Sequence, residues 1–163
     1  MRLHYLICLL ILAIGARAQS PSQPATFTRT TVFPPVGLAF SETARVNVAN
    51  NAANPKSGNA ASCSGTISFN NASGAAVGSP NKFTVTSGQI SSANLTAAEL
   101  GVDNGSRSEF IASVQLTLAP QTPCNLTISL ETFDSTSAVT HLYLAGGSVG
   151  APSTVEPVLG GGN

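Results

Sequence analysis

Apolar and polar residues alternate with a period of two along most of the chain, which is typical of half-buried antiparallel β-strands. The clearest case is SEFIASVQLTLAP (108–120), where every second residue is apolar and Ile111 is the one exception. The residues of its expected inward face are Phe110, Ala112, Val114, Leu116 and Leu118. We predict that this segment is a strand that packs one face against a core.

Seven further segments predict strands, separated by turns of Gly, Asn, Ser, Asp and Pro. They are VGLAF (36–40), ARVNVAN (44–50), SCSGTISFN (62–70), KFTVT (82–86), QISSANL (89–95), PCNLTISLE (123–131) and VTHLYLA (139–145). Only TAAELG (96–101) predicts a short helical turn, because Thr96 and Glu99 have the spacing of a capping box. The pattern predicts an all-β fold, a two-layer antiparallel immunoglobulin-like sandwich of about eight short strands.

The first eighteen residues have the organisation of a secretory signal peptide. Arg2 gives a positive start, LHYLICLLILAIG (3–15) is a short apolar core, and ARA (16–18) is a small-residue cleavage site. The apolar run is shorter than the roughly 20 residues that a membrane-spanning helix needs. We therefore predict cleavage of residues 1–18 and a secreted or periplasmic mature chain with no membrane span.

The remaining length of about 145 residues suits a single domain. Residues 19–26 are rich in Pro and Ser and predict a flexible lead-in, and residues 147–163 predict a flexible Gly/Pro-rich tail. The β-sandwich domain is therefore expected to span residues 27–146. Its first segment, TFTRTTVF (26–33), either pairs within its own chain or is donated to a neighbouring copy; we favour pairing within the chain and a monomer.

Cys63 and Cys124 are the two cysteines left after the signal peptide, and both lie in phase with the apolar face of their segments. In an exported chain, two cysteines predict one disulfide. The main alternatives are weaker, since a zinc site usually needs four Cys or His ligands and only His141 remains beside the two cysteines. The expected bond closes a loop of about 60 residues, worth roughly 4 kcal/mol in the chain-entropy model.

Charge is sparse in the mature chain. Loss of Arg2 and Arg17 leaves five basic and seven acidic residues, a formal charge of −2. Such scattered charges form neither a footprint for nucleic acid nor a polybasic membrane patch. We expect an unknown extracellular or periplasmic partner, and no nucleic acid.

The residues that could carry chemistry are few. His141 in VTHLYL is interpreted as a partly exposed strand histidine, with a general base as the alternative. Asp103, Glu131 and Asp134 lie in or near turns but lack the dense spacing of a calcium loop, and a carboxylate pair for glycoside hydrolysis stays open. We predict no cofactor, no metal and no catalytic residue. The Asn-x-Ser/Thr triplets begin at Asn71, Asn94, Asn104 and Asn125, and matter only if the host glycosylates them.

Three stretches resemble a group of small exported bacterial proteins of unknown function. They are PVGLAFSETARVNVANNA, CSGTISFNNASGAAVG and CNLTISLETFD, and the likeness covers about residues 34 to 144. This chain has NNASG where the group's pattern leads us to expect an acidic turn. The resemblance implies secretion and a β-sandwich fold, and it implies no activity.

These observations favour a secreted non-catalytic module that is structural or binds a protein, and not an enzyme. The alternatives are carbohydrate binding and a strand-donating subunit of a surface assembly. Sugar-binding platforms normally use exposed flat aromatic side chains. Tyr143 is the one tyrosine of the mature chain, which has no tryptophan. This scarcity places carbohydrate binding second.

Overall fold

Nine β-strands and no helix make up the secondary structure of the residues that the computed structural model describes, which are 26–52, 62–119 and 124–150. The strands are β1 (Phe27–Val32), β2 (Val36–Ala39), β3 (Glu42–Asn50), β4 (Ser62–Asn71), β5 (Ala76–Thr86), β6 (Ile90–Thr96), β7 (Arg107–Leu118), β8 (Asn125–Asp134) and β9 (Thr140–Gly150). Each predicted strand is present. The TFTRTTVF segment supplies β1.

The strands form two antiparallel sheets. In sheet A the order is β1-β7-β4-β5, and β2 also pairs with β7. Because β1 lies opposite residues 113–118 of β7 and β2 lies opposite residues 107–110, they form one edge that is interrupted at Pro34-Pro35. Proline cannot donate to the ladder, so an edge is where a sheet tolerates this break. The favoured pairing of the first segment within its own chain is what the structure shows.

Sheet B has the order β6-β3-β8-β9. The runs β2-β7-β4 and β3-β8-β9 correspond, in chain order and in pairing, to strands B-E-D and C-F-G of an immunoglobulin domain. The additional strands β5 and β6 form one outer edge of each sheet. The predicted two-layer antiparallel sandwich is therefore confirmed.

The core lies between the two sheets and is built from the alternation that the sequence displays. All five predicted inward residues of β7 are buried, and so are the inward residues of β3 and β8. Those of β3 and β8 are Ala44, Val46, Val48, Leu126, Ile128 and Leu130. Burial of such side chains, at about 1.5–3 kcal/mol for each large aliphatic one, is the main force that holds the sheets together.

The predicted disulfide between Cys63 and Cys124 is present. Cys63 lies in β4 of sheet A, and Cys124 lies directly before β8 of sheet B; both are buried. The bond therefore joins the two layers rather than two neighbouring strands. The amide of Asn50 at the end of β3 donates to the sulfur of Cys63 at 3.3 Å, which adds a polar contact at the same place.

The predicted capping box forms at Thr96 and Glu99. The backbone N–H of Thr96 donates to the Glu99 carboxylate at 2.8 Å, and the Glu99 N–H donates to the Thr96 hydroxyl at 3.3 Å. Gly101 ends the turn with φ of 71°. Because the segment closes after one turn, it is a hydrogen-bonded turn rather than a helix.

The last strand runs past residue 146, at which the sequence predicts that the domain ends. Strand β9 continues to Gly150, and residues 148–150 pair with residues 125–127 of β8. A glycine-rich stretch has weak strand propensity, which is why GGSVG resembles a tail in the sequence. The predicted signal peptide and the residues from 151 onward lie outside the described residues.

Candidate functional site

Three connections converge at one end of the sandwich, which we call the loop end: Phe40–Ser41, residues 97–106 and residues 135–139. The Ser135 N–H donates to the Ser41 carbonyl at 2.8 Å, which ties the first connection to the third. The Ala97 N–H donates to the Glu42 carbonyl at 3.3 Å, which ties in the second. Backbone bonds thus hold the three connections in fixed relative positions.

The loop end corresponds to the binding end of an immunoglobulin variable domain. There, the B–C and F–G loops belong to the set that contacts the ligand. With the strand correspondence above, Phe40–Ser41 is the B–C connection and residues 135–139 are the F–G connection. This correspondence concerns only the position of the loops in the fold. Any function of the loop end must therefore be argued from its own residues.

A depression of about 310 Å³ lies at the loop end. Its lining residues are Ala39, Phe40, Ser41, Asn104, Gly105 and Ser106. They come from the end of β2 with the turn that follows it, and from the turn before β7, which lies more than sixty residues further along the sequence. No local sequence pattern therefore predicts this depression.

Phe40 is 52% exposed at this depression, although VGLAF (36–40) predicts that it belongs to a strand. Strand β2 ends at Ala39, and Phe40 lies in the turn that follows. The structure therefore presents an aromatic ring to solvent on a short turn. Val139, from the third connection of the loop end, is also 55% exposed.

His141 and Glu42 form a pair below the loops, with His141 Nδ1 2.5 Å from Glu42 Oε1. A β-bulge leaves His141 without a partner residue in β8, since Leu142 lies opposite Thr132 and Thr140 opposite Phe133. Sequence alternation continues smoothly through this position and so missed both the bulge and the pair. His141 is partly exposed, as predicted, with its side chain 47% accessible.

The second oxygen of Glu42 accepts the Ala39 N–H at 2.8 Å. Burial raises the pKa of Glu42, but the Ala39 hydrogen bond, the contact with His141 and the nearby charge of Arg107 outweigh it, so the pKa lies below its ordinary value. Glu42 thus connects the end of β2, the start of β3 and β9. Its two contacts therefore have a structural role, since they hold these strands in place relative to one another.

Asp134 organises the connection between β8 and β9. Its Oδ1 accepts the N–H groups of Thr136 and Ser137, at 3.0 Å and 2.7 Å, and the Ser137 hydroxyl at 3.0 Å. Hydrogen bonds from Ser137, from Thr136 and from Ser41 lower the pKa of Asp134 to about 2. The charged carboxylate therefore stabilises the turn between β8 and β9.

The other acidic residues singled out from the sequence are not brought together with Asp134. Glu131 lies on the outer face of sheet B, 3.8 Å from Arg45, and accepts the Asn47 amide at 3.2 Å. Asp103 lies in the exposed turn before β7, where its carbonyl accepts the Ser106 N–H. Among the described residues, no cluster of three or more His, Cys, Asp or Glu side chains could hold a metal ion.

The outer face of sheet B carries a row of four directly opposed residues: Tyr143, Glu131, Arg45 and Asn94. Arg45 donates from Nε to the side-chain Oδ1 of Asn94 at 3.0 Å, and its guanidinium lies 4.6 Å from the centre of the Phe133 ring. Tyr143 ends the row on β9 and is 62% exposed. The row is a polar surface with one accessible aromatic ring.

The four Asn-x-Ser/Thr asparagines have different surroundings. Asn71 accepts bonds from Ser73 and Ala75 that close its own turn, and Asn94 is engaged by Arg45. Asn104 is exposed in a turn at the loop end, and Asn125 is exposed at the start of β8. Only Asn104 of the four lines the depression.

Within residues 26–52, 62–119 and 124–150, no helix has the length and apolar character that crossing a membrane requires. Comparison of the chain with family models, with curated proteins and with solved structures finds no match in any of the three. The site must therefore be interpreted from its own residues.

Proposed function

We propose that this protein is a secreted, non-catalytic module that binds a protein partner through its loop end. The observation that carries the proposal is Phe40, an exposed aromatic ring on a turn beside a depression of about 310 Å³. Phenylalanine is one of the aromatic residues that are enriched in protein interfaces relative to the rest of the surface. Loops placed on a rigid scaffold are a common location for binding residues.

The hydrogen bonds of the loop end support binding rather than chemistry. Glu42 uses both oxygens on His141 and the Ala39 N–H, and Asp134 accepts bonds from its own turn. These ionisable groups stabilise backbone positions. A scaffold fixed before the partner arrives loses less entropy on binding, which favours affinity.

The disulfide supports the proposed compartment, together with the predicted signal peptide. Disulfides persist in oxidising environments and are rare where thiols are kept reduced. The bond between Cys63 and Cys124 is thus typical of an exported protein. Pairing of β1 with β7 of the same chain supports a self-contained monomer over a strand-donating subunit.

A matched pair of variants tests the proposed function. Ile90 pairs with Ala49 near the end of β3 and therefore lies at the opposite end of the sandwich. Its side chain is 68% exposed there. Exported wild-type protein, Phe40→Ala and Ile90→Ala would be used as baits on the medium and periplasm of the cells that export it. We expect a partner that is retained by the wild type and Ile90→Ala and lost with Phe40→Ala. Equal retention by all three, or none by the wild type, would contradict the proposal.

Carbohydrate binding is the second candidate, and Tyr143 is the observation that favours it. Its exposed ring lies on the outer face of sheet B opposite Glu131, with Arg45 one strand further on. Sugars stack on such rings while their hydroxyls bond to charged neighbours. A glycan array with wild type, Tyr143→Ala and Tyr143→Phe separates this candidate from the first. A glycan bound by the wild type and Tyr143→Phe but not by Tyr143→Ala would support it; no bound glycan would exclude it in favour of the loop end.

A further inference from the structure

We infer that Asn104 is a site of spontaneous covalent modification: its side-chain amide is lost and an aspartyl or isoaspartyl residue forms at the loop end. Asn104 precedes Gly105, the one Asn-Gly pair in the chain. Both residues are exposed. The inference concerns the chemistry of the turn and is independent of the proposed function.

The turn geometry exposes both reacting groups. The Ser106 N–H donates to the Asp103 carbonyl at 3.0 Å and closes a four-residue turn. Gly105 has φ of 76° whereas Asn104 has no positive φ, which is the signature of a type II turn with glycine in its third position. Among the described residues, neither the Gly105 N–H nor the Asn104 side chain takes part in a hydrogen bond.

The reaction needs only water as a co-reactant. The backbone nitrogen of Gly105 attacks Cγ of Asn104, so that a new C–N bond forms and a five-membered imide ring closes. The bond from Cγ to Nδ2 breaks, and the nitrogen leaves as ammonia with the proton that Gly105 gives up. Water then opens the imide at either carbonyl and yields an aspartyl or an isoaspartyl linkage. Glycine favours the attack because it has no side chain beside the nucleophilic nitrogen.

Other asparagines lack this combination. Asn71 holds three hydrogen bonds from Ser73 and Ala75 on its Oδ1 and is followed by alanine. Asn94 lies within β6, where Arg45 engages it and the next residue is the buried Leu95. A strand fixes the backbone, and a bulky next residue hinders ring closure. The structure therefore selects Asn104.

The modification would change the depression at the loop end. Either product places a carboxylate where the wild type has a neutral amide, on a residue that lines the same depression as Phe40. The isoaspartyl form also adds a methylene group to the main chain of the turn. An aged preparation thus becomes more acidic by one charge at this surface.

The test is peptide mass spectrometry of native protein incubated at several pH values. We expect loss of ammonia and gain of water at Asn104 in a growing fraction of molecules, faster at higher pH because the Gly105 nitrogen must lose its proton. Fragmentation that separates the two linkages should find both. Asn104→Gln, whose longer side chain closes a less favourable ring, should lose the modification, and Asn81→Gln should keep it. An unmodified Asn104 in native protein, or earlier reaction at another asparagine, would overturn the inference.

Discussion

Cys63 of sheet A and Cys124 of sheet B are bonded, with their Cα atoms 5.9 Å apart, at the end of the sandwich opposite the loop end. Asn50, the last residue of β3, contacts Cys63 there, whereas the loop end adjoins the first residues of β3. The sandwich is therefore joined covalently at one end. Among the described residues, its other end has no disulfide, and hydrogen bonds tie the connections there to one another.

Removal of the disulfide should lower the free energy of unfolding by about 4 kcal/mol, because the loop it closes spans 61 residues. The variant is the double substitution Cys63→Ala and Cys124→Ala, compared with the wild type in denaturant titrations. Unreduced wild-type protein should show no free thiol by mass spectrometry. Identical unfolding midpoints, or two free thiols in exported protein, would refute the stabilising role.

The end of β9 should contribute to stability. A chain that stops at residue 146 loses the ladder from residues 148–150 to residues 125–127, and we expect a loss of roughly 1–3 kcal/mol at about 1 kcal/mol per hydrogen bond. A chain that stops at residue 150 is the matched control. Thermal melts of the two should differ by several degrees. Coincident melts would show that the last part of β9 is dispensable.

Gly65 should not tolerate a methyl group. A Cβ at this position would lie 2.4 Å from the Gln115 carbonyl oxygen and 2.7 Å from the ring of Phe83. Overpacking of this kind typically costs about 1–3 kcal/mol. Gly65→Ala should be destabilised by about that amount, whereas Ser68→Ala in the same strand should stay near the wild type. A Gly65→Ala variant as stable as the wild type would mean that the sheet shifts freely enough at this point to make room for the methyl group.

Acid should weaken the hydrogen bonds that Glu42 and Asp134 accept at the loop end. The pKa of Asp134 is lowered from 3.8 to about 2 in the folded protein, and that of Glu42 is lowered from 4.5. A group whose pKa is depressed by folding stabilises the native state above its unfolded pKa, and this stabilisation is lost as the pH falls through the folded value. Stability should therefore decrease as the pH falls below 4.5, the ordinary value of Glu42, and continue to decrease towards pH 2, the folded value of Asp134.

Asp134→Asn tests the acid prediction. It should be less stable than the wild type at neutral pH and should lose less stability on acidification, as followed by melts at successive pH values. Asp103→Asn, in the turn before β7, is the control and should keep the pH profile of the wild type. An unchanged profile for Asp134→Asn would show that its hydrogen bonds to Thr136 and Ser137 do not matter to the fold.

The sequence predicts the core of this fold well because alternation is a local signal. Each inward residue of β7 from Phe110 to Leu118 is buried, and both cysteines keep their apolar phase. The end of β9 was missed because glycines weaken the pattern. The start of β5 at Ala76 was missed because the run around Pro80 is polar and exposed.

The loop end could not be predicted, because its residues are distant in sequence. His141 meets Glu42 across 99 residues, and Ser41 meets Ser135 across 94. Such contacts depend on which strands pair and on the bulge at His141, and no local pattern specifies either. The apolar run VGLAF predicts that Phe40 belongs to a strand. Its exposure becomes clear only from the structure, in which β2 ends at Ala39.

Phe40 marks the surface that binds a partner in the proposed function, and crosslinking within exporting cells tests this role most directly. A photo-reactive phenylalanine would replace Phe40 in one variant and Ile90 in the other, since both side chains are more than half exposed and lie at opposite ends of the sandwich. We expect a discrete higher-mass adduct with a second protein from position 40 and none from position 90. Adducts from position 90 alone, or from neither position, would contradict the account.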